Sequence, residues 1–504
     1  MSTYTEPFAK LNSKERMAIP NVEMPLEPAD KRITNLDEVP IGYTKEEAIQ
    51  EANRCIQCKK PACVAGCPVG IDIPAFIKLI SEDKVAEAAK KIRETNFLPA
   101  ACGRVCPQDK QCQAPCVVGR KAEPVSIGDL ERYAADYERK NHTLEMPVIP
   151  PSTGKKIAVI GSGPAGMTAA YELRIRGHEV VVFEAFHRGG GVLVYGIPRF
   201  RLPLEIIDDD LKFLENIGVQ FVYDMIIGNI LTLDDLIGQE GFDAAFIASG
   251  AGLPKMLGIK GENSNGVYSA NEYLTRIYLM QATKFPQYTT PIVQGKKVGV
   301  IGAGNTAMDV LRTAKRLGAD TTCYYRRTRD EAPCRTEELK HAEQEFLNWK
   351  WLSNPVEIIA DENNFVKAIK CEIMEMGEPD ESGRRRPKGT GKFFEDEIDT
   401  IVFSLGCEVN PIIPSTDDEV RINKWGIMMV DGSTCMTSKE KVFAGGDAIT
   451  GGSTVILAMG QAKTAAQAID RYLKGEIEWD TSKIPTDPNA PGIQWAGRFA
   501  KGKR

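Results

Sequence analysis

Eight cysteines crowd into one stretch of 62 residues, from Cys55 to Cys116. It reads CIQCKKPACVAGCP, then a spacer, then CGRVCPQDKQCQAPC. The other five of the thirteen cysteines (Cys323, Cys334, Cys371, Cys407 and Cys435) are scattered singly. Eight thiols this close are disulfides or ligands, and the choice governs what the chain around them can fold into. Disulfide frameworks belong to small secreted domains. This chain has 504 residues, and its first thirty are polar and proline-rich with no apolar leader segment. A cytoplasmic protein is expected, and metal is favoured over disulfides.

Zinc ribbons pair two C-x-x-C units, and here there is one, Cys55/Cys58. The remaining spacing is C-x4-C-x3-C-P, then C-x3-C-P-x4-C-x3-C. Cys67-Pro68 and Cys106-Pro107 match the Cys-Pro that closes a bacterial ferredoxin run. Iron–sulfur is therefore preferred to zinc, and zinc to purely structural thiols. Eight thiolates suit two [4Fe–4S] clusters. The four histidines (His142, His178, His187, His341) lie far apart, which disfavours a histidine metal site or a histidine-led triad. A net charge of -6 carries no nucleic-acid signature. No apolar run reaches the ~18–20 residues of a membrane helix, so no membrane partner is expected.

Residues 1–45 read as an extended, proline-punctuated arm lying on another domain or a partner. Residues 46–150 read as a helical domain around the cysteines. Asp72 is placed to cap a helix with Pro74 in its first turn, and Val85, Ala88, Ala89 and Ile92 recur at helical spacing. The proline-rich run Met146–Gly154 marks a boundary. Residues 476–504 read as an extended tail with a basic end.

KKIAVIGSGPAGMTAAYELRIRGHEVVVFEA follows the boundary. A strand at Lys156–Ile160 leads into Gly161, Gly163 and Gly166, then a helix, then a second strand ending at Glu184. This is a full dinucleotide fingerprint. The glycines allow a tight turn, a close phosphate and close helix packing, and Glu184 can accept from a ribose. A second copy starts at Lys296, with Gly302, Gly304 and Ala307 in the turn. Its second strand ends in Arg326-Arg327, where the first copy has an acid. A guanidinium there binds a 2′-phosphate that a carboxylate would repel, which argues for NADP(H).

Near the C-terminus, KVFAGGD precedes the helical stretch GGSTVILAMGQAKTAAQAIDRYL. This resembles the strand that returns to the first domain in two-dinucleotide flavoproteins, and FIASGAG (Phe246–Gly252) resembles their matching strand and turn. The first nucleotide is then FAD and the second NADPH. The expected fold class is α/β: a helical iron–sulfur domain followed by two nested Rossmann-type domains. The FAD domain takes residues 151–290 and 410–475, and the NADPH domain 291–409. Hydride chemistry from NADPH and one-electron chemistry at clusters require a flavin between them, with no side-chain acid, base or nucleophile. A disulfide reductase of thioredoxin-reductase type is disfavoured, because the later cysteines form no C-x-x-C.

Over residues 40–475 the chain resembles the small subunit family of NADPH-dependent glutamate synthase. The motifs are NRCIQCKKPAC, GCPVGIDIPAFI, TNFLPAACGRVCPQ, SIGDLER, GSGPAG, GGVLVYGIPRFRLP, GAGNTAMD, YYRR, EMGEPDESGRRR and FAGGD. The family includes the large subunit of the electron-bifurcating NADH-dependent ferredoxin–NADP oxidoreductase and, more distantly, the N-terminal half of dihydropyrimidine dehydrogenase. The resemblance implies one cluster on Cys55, Cys58, Cys63 and Cys116. It implies the other on Cys67, Cys106, Cys112 and Glu131, leaving Cys102 spare. It implies FAD contacts at Gly161, Gly163, Pro164, Ala165, Gly166, Glu184, Gly190, Gly191, Leu193, Gly250, Gly446, Asp447, Ser453, Thr454 and Val455. NADPH contacts fall at Gly302, Gly304, Asn305, Thr306, Ala307, Arg326 and Arg327. Lys463 stands where relatives often have arginine. With no amidotransferase cysteine at the start and no synthase barrel, the chain is expected to need a second subunit. That partner is the glutamate synthase large subunit or, alternatively, a FAD/[2Fe–2S] subunit. Anaerobically purified protein should carry about eight irons and one FAD; four irons by colorimetric assay would exclude two clusters.

Overall fold

The computed structural model describes residues 11–379 and 385–493. The first ten residues of the arm, part of the EMGEPDESGRRR motif and the basic end of the tail lie outside them. From residue 11 the arm is largely extended, with two short helices, Ser13–Met17 and Ala29–Arg32. It packs on this chain itself. The Val39 N–H donates to the Phe200 carbonyl at 3.0 Å, and Arg16 Nη1 donates to the Asn53 carbonyl at 2.9 Å.

The helices of the cysteine region start where capping residues stand. Thr44 and Glu47 form a reciprocal cap on Lys45–Asn53. Asp72 accepts from the Ala75 N–H at 3.3 Å and opens Ile73–Ser81, with Pro74 in its first turn. Val85–Arg93 buries Val85, Ala88, Ala89 and Ile92, the stripe legible in the sequence. Pro99–Val105 and Ile127–Asn141 complete the group.

Two parallel five-stranded sheets follow. In the first the order is Val442–Ala444, Ala244–Ile247, Lys156–Ile160, Glu179–Phe183, Gln220–Val222. The strand from the C-terminal region thus enters a sheet begun almost 300 residues earlier, pairing Phe443 with Phe246. Helix Val455–Leu473 then lies along helix Pro164–Arg174. The second sheet runs Val267–Ser269, Thr400–Phe403, Lys297–Ile301, Asp320–Tyr325, Asn348–Trp351. Its edge strand Val267–Ser269 comes from upstream of residue 291, from sequence read with the FAD domain. An antiparallel sheet of Ser353–Ala360, Val366–Pro379 and Arg385–Glu397 adds to this second half; sequence reading did not foresee it. Among the described residues no helix is long and apolar enough to cross a membrane.

Buried ion pairs tie the parts together. Glu345, fully buried, receives Arg32 of the arm at 2.9 Å and Arg312 and Arg316 at 3.0 and 2.6 Å. Arg201, from the GIPRFRLP loop, pairs with Asp309 at 2.8 Å and Glu338 at 2.9 Å. Burial works against the Glu345 charge, but Arg312 and Arg316 outweigh it and hold the carboxyl down to about 2. A depressed pKa contributes stability above the unfolded value and loses it as pH falls through the folded one. Glu345→Ala would remove the carboxylate that three buried guanidiniums share and should cost about 3–5 kcal/mol, read as a lower urea midpoint. The difference from wild type should shrink between about pH 4.3 and pH 2.

Candidate functional site

The first glycine turn is fixed by backbone approach. Gly161 has φ +103°, and a Cβ there would sit 2.5 Å from the Ala248 carbonyl oxygen. A Cβ at Gly166 would run into the Gly161 carbonyl, whereas nothing lies within 4 Å of one at Gly163. The turn is closed where protein meets protein and open where a pyrophosphate would come, at the N-terminus of helix Pro164–Arg174. Pro164 and Ala165 are buried in its first turn. Glu184 is buried and braces the turn. Its carboxylate accepts from the Ser162 N–H and hydroxyl and, at 2.9 Å, from the Phe186 N–H. A ribose would share these oxygens. Ser162 Oγ also accepts from the Gly190 N–H at 3.0 Å, drawing the Gly190, Gly191 and Leu193 loop onto the turn.

Gly446 meets the same helix, as a Cβ there would lie 2.9 Å from that of Ala165. Asp447 accepts from the Ser453 N–H at 3.0 Å, and burial pushes its carboxyl up to about 6. Thr454 caps helix Val455–Leu473. Gly250 ends the run after strand Ala244–Ile247. Lys463 reaches away from this turn, donating to the Thr95 carbonyl at 2.8 Å and pairing with Glu172 at 2.8 Å. It fastens the cysteine region to the first Rossmann helix.

The second turn repeats the pattern. A Cβ at Gly302 would strike the Ser404 carbonyl, and one at Gly304 meets nothing within 4 Å. Asn305 and Thr306 are exposed and Ala307 buried. Arg326 is exposed and Arg327 half-buried, just past strand Asp320–Tyr325. Among the described residues neither guanidinium pairs with a carboxylate, and Arg327 Nε is buried without a hydrogen-bond partner. Free cations at this strand end fit a 2′-phosphate.

The cysteines divide between two cavities. Cys55, Cys58, Cys63 and Cys116 line an outer one whose other walls are mainly apolar. Cys67, Cys102, Cys106, Cys112 and Glu131 line an inner one. So Cys116 joins the first cysteine group and Cys67 the second. Burial pushes the Cys55 thiol up to about 11 and Cys63 to about 12 and raises Cys112 well above the usual thiol range, while a hydrogen bond with Cys102, together with burial, raises Cys106 likewise. Thiols this desolvated form thiolates only against a cationic group, which iron supplies. Among the described residues no three His, Cys, Asp or Glu converge on a single-ion site, whereas thiols spread round a cavity suit a polynuclear cluster. The inner cavity offers five candidate side chains for four positions. Glu131 accepts from Asn96 Nδ2 at 2.6 Å, and burial pushes it up to about 8. Cys102 is buried with its sulfur 3.6 Å from that of Met459.

Five contributors carry no signal in the sequence. Ile456, in the first turn of helix Val455–Leu473, lines the inner cavity, and Ile73 and Ile127 line both cavities. Gln111 Nε2 donates to Thr454 Oγ1 at 3.3 Å, joining the cysteine segment to that helix. Gln108 lines the inner cavity. Apolar residues and amides between ligands carry no sequence signal of their own.

Residues 32–143 match the family described as dihydropyrimidine dehydrogenase domain II, 4Fe-4S cluster. Residues 155–468 match pyridine nucleotide-disulphide oxidoreductase. The glutamate synthase [NADPH] small chain of Azospirillum brasilense is 34% identical over 458 residues, 90% of this chain and 94% of that one. The chain belongs to the glutamate synthase small-chain family. The Escherichia coli K12 small chain is likewise 34% identical, over 90% of this chain and 97% of its own. The NADPH-Fe(3+) oxidoreductase subunit beta of Geobacter sulfurreducens is 35% identical over 82% of this chain, which spans 63% of that subunit. Among solved structures, Mycobacterium tuberculosis FprA in complex with NADPH shares the fold, with a TM-score of 0.52 and 19% identity over 66% of this chain and 87% of that one. This small-chain relative is thus an NADPH-dependent oxidoreductase of the flavin and iron–sulfur type, with the fold class its sequence implies. Glu131→Ala should change the EPR signal of one cluster and Cys102→Ala should not. The opposite pattern would exchange their roles.

Proposed function

We propose that this chain is the electron-input subunit of an NADPH-dependent glutamate synthase, acting in the cytoplasm beside a large subunit. It would carry FAD, an NADPH site and two [4Fe–4S] clusters. Cys55, Cys58, Cys63 and Cys116 would hold the outer cluster, and Cys67, Cys106, Cys112 and Glu131 the inner one. Bound FAD supplies the chemistry the other groups lack, taking electrons in pairs as hydride and giving them up singly.

The observation that carries this reading is the shared walls. Ile456 belongs both to the flavin-side helix and to the inner cavity, and Ile73 and Ile127 stand between the two cavities. The sites therefore lie in the order flavin helix, inner cavity, outer cavity. The outer cysteines Cys55, Cys58, Cys63 and Cys116 are half-buried, while Cys106 and Cys112 are buried. Electrons would leave from the outer side. The chain's own residues position and insulate. The two glycine turns receive pyrophosphates at helix N-termini, Arg326 and Arg327 receive the 2′-phosphate, and apolar walls keep water from the clusters. Relatives named as beta subunits of other enzymes, such as the NADP(+)-dependent formate dehydrogenase of Moorella thermoacetica, fit a module that serves partners.

NADPH should bleach the flavin anaerobically, and an oxidised flavin after NADPH addition would overturn the reading. Arg326→Ala with Arg327→Ala should raise the NADPH KM about tenfold or more, since hydrogen bonds to a charged group are worth about 1.5–3 kcal/mol, and leave the NADH KM little changed. Equal losses would remove the NADP preference.

A further inference from the structure

The second glycine turn and the inner cysteine cavity meet through one residue outside both. Arg335 is 6% exposed. Its N–H donates to Asn305 Oδ1 at 2.8 Å, holding the first residue after Gly304. Its guanidinium donates to Gln108 Oε1 at 2.9 Å and to the Arg104 carbonyl at 2.8 Å. Glu337, at 2.7 Å, is its carboxylate partner and is itself 38% exposed. Gln108 Nε2 donates to the carbonyls of Cys102 and Gly103 at 3.3 and 3.1 Å, and Gln108 lines the inner cavity.

Neighbouring contacts stiffen this junction. Lys110 Nζ donates to the Pro333 and Cys334 carbonyls at 2.9 and 3.1 Å. The Cys334 N–H donates to the Ala303 carbonyl in the turn at 3.3 Å. The segment 333–337 is thus bonded on one side to the nucleotide turn and on the other to the turn between Cys106 and Cys112.

We propose that Arg335 is a positioning residue that couples occupancy of the second glycine turn by a dinucleotide phosphate to the reduction potential of the cluster held in the inner cavity. The coupling rests on the reading that this cavity holds a cluster and this turn binds NADP(H). A phosphate on the turn brings negative charge to Asn305, one hydrogen bond from Arg335. A buried guanidinium stabilises an electron added nearby, so a change in its position changes the potential. Coupling is reciprocal: a ligand that shifts the potential must bind the two redox states with different affinity.

The test uses anaerobic holoprotein and 2′-phospho-ADP-ribose, which carries the phosphates of NADP and no nicotinamide. The inner cluster is titrated by EPR-monitored potentiometry with and without it. Wild type should show at least a threefold difference in affinity between redox states, about 28 mV on the scale of 59 mV per tenfold. Arg335→Gln should bring that ratio below about 1.5-fold. If Arg335→Gln fails to load iron, Arg335→Lys decides, and should lose at least half the shift. A potential that ignores the analogue in wild type, or a shift that survives in the variants, overturns the coupling. Flavin bleaching by NADPH in the same samples separates the two readings. A bleached flavin with an unmoved potential overturns the coupling alone, and an unbleached flavin counts against the proposed function.

Discussion

Helix Pro99–Val105 crosses helix Ile127–Asn141 so closely at Gly103 that a Cβ there would lie 2.6 Å from the Arg132 backbone nitrogen. Only glycine permits that separation. The crossing sets Cys102 and Cys106, on and just after the first helix, against Glu131 on the second, and so shapes the inner cavity. Two further approaches depend on the same packing. A Cβ at Gly66 would be 2.8 Å from the Gln111 carbonyl, and one at Gly128 would collide with the Gln108 side chain. The cysteine segments are pressed together by their backbones before any ligand chemistry is considered.

Around this core the chain relies on buried charge to hold its halves in register. Arg104 pairs with Glu38 at 2.6 Å and Asp136 at 2.8 Å, while Arg132 pairs with the same two carboxylates. With Arg32 and Arg201, these contacts bind arm, cysteine region and both Rossmann halves. Such pairs add less net stability than their number suggests, because desolvation offsets attraction. They are unforgiving of misplacement, however, since a carboxylate left alone in this interior is costly. They act as registration marks for electron-transfer sites whose spacing matters.

The legible parts of this architecture are those where one residue type alone satisfies the backbone. Gly161, Gly166 and Gly302 announce their turns because any Cβ would collide. Asp72 and Pro74 announce a helix start. The partition of eight cysteines is another matter. Spacing alone suggests two tidy sets of four, whereas the resemblance to the family implies that Cys67 and Cys116 change sets. Ile456, Gln108 and Arg335 were illegible because their partners lie hundreds of residues away or on the far side of a helix. The pairing of Val267–Ser269 with Thr400–Phe403 was hidden for the same reason. Alternation in VKAIKCEIMEM carried the signal for the antiparallel sheet, masked by the Rossmann pattern upstream.

Strand Val442–Ala444 and helix Val455–Leu473 complete a sheet and a cavity wall begun far earlier. During synthesis the cysteine segment emerges first, and some 340 residues separate Cys116 from Ile456. At roughly 5–20 residues per second the ribosome needs about 20–70 s to deliver the missing wall. For that interval the inner thiols lack their final apolar cover. A cluster entering the inner cavity would have its open window before helix Val455–Leu473 docks, and oxygen would have the same access. The order of the genetic message thus sets when this protein is most vulnerable.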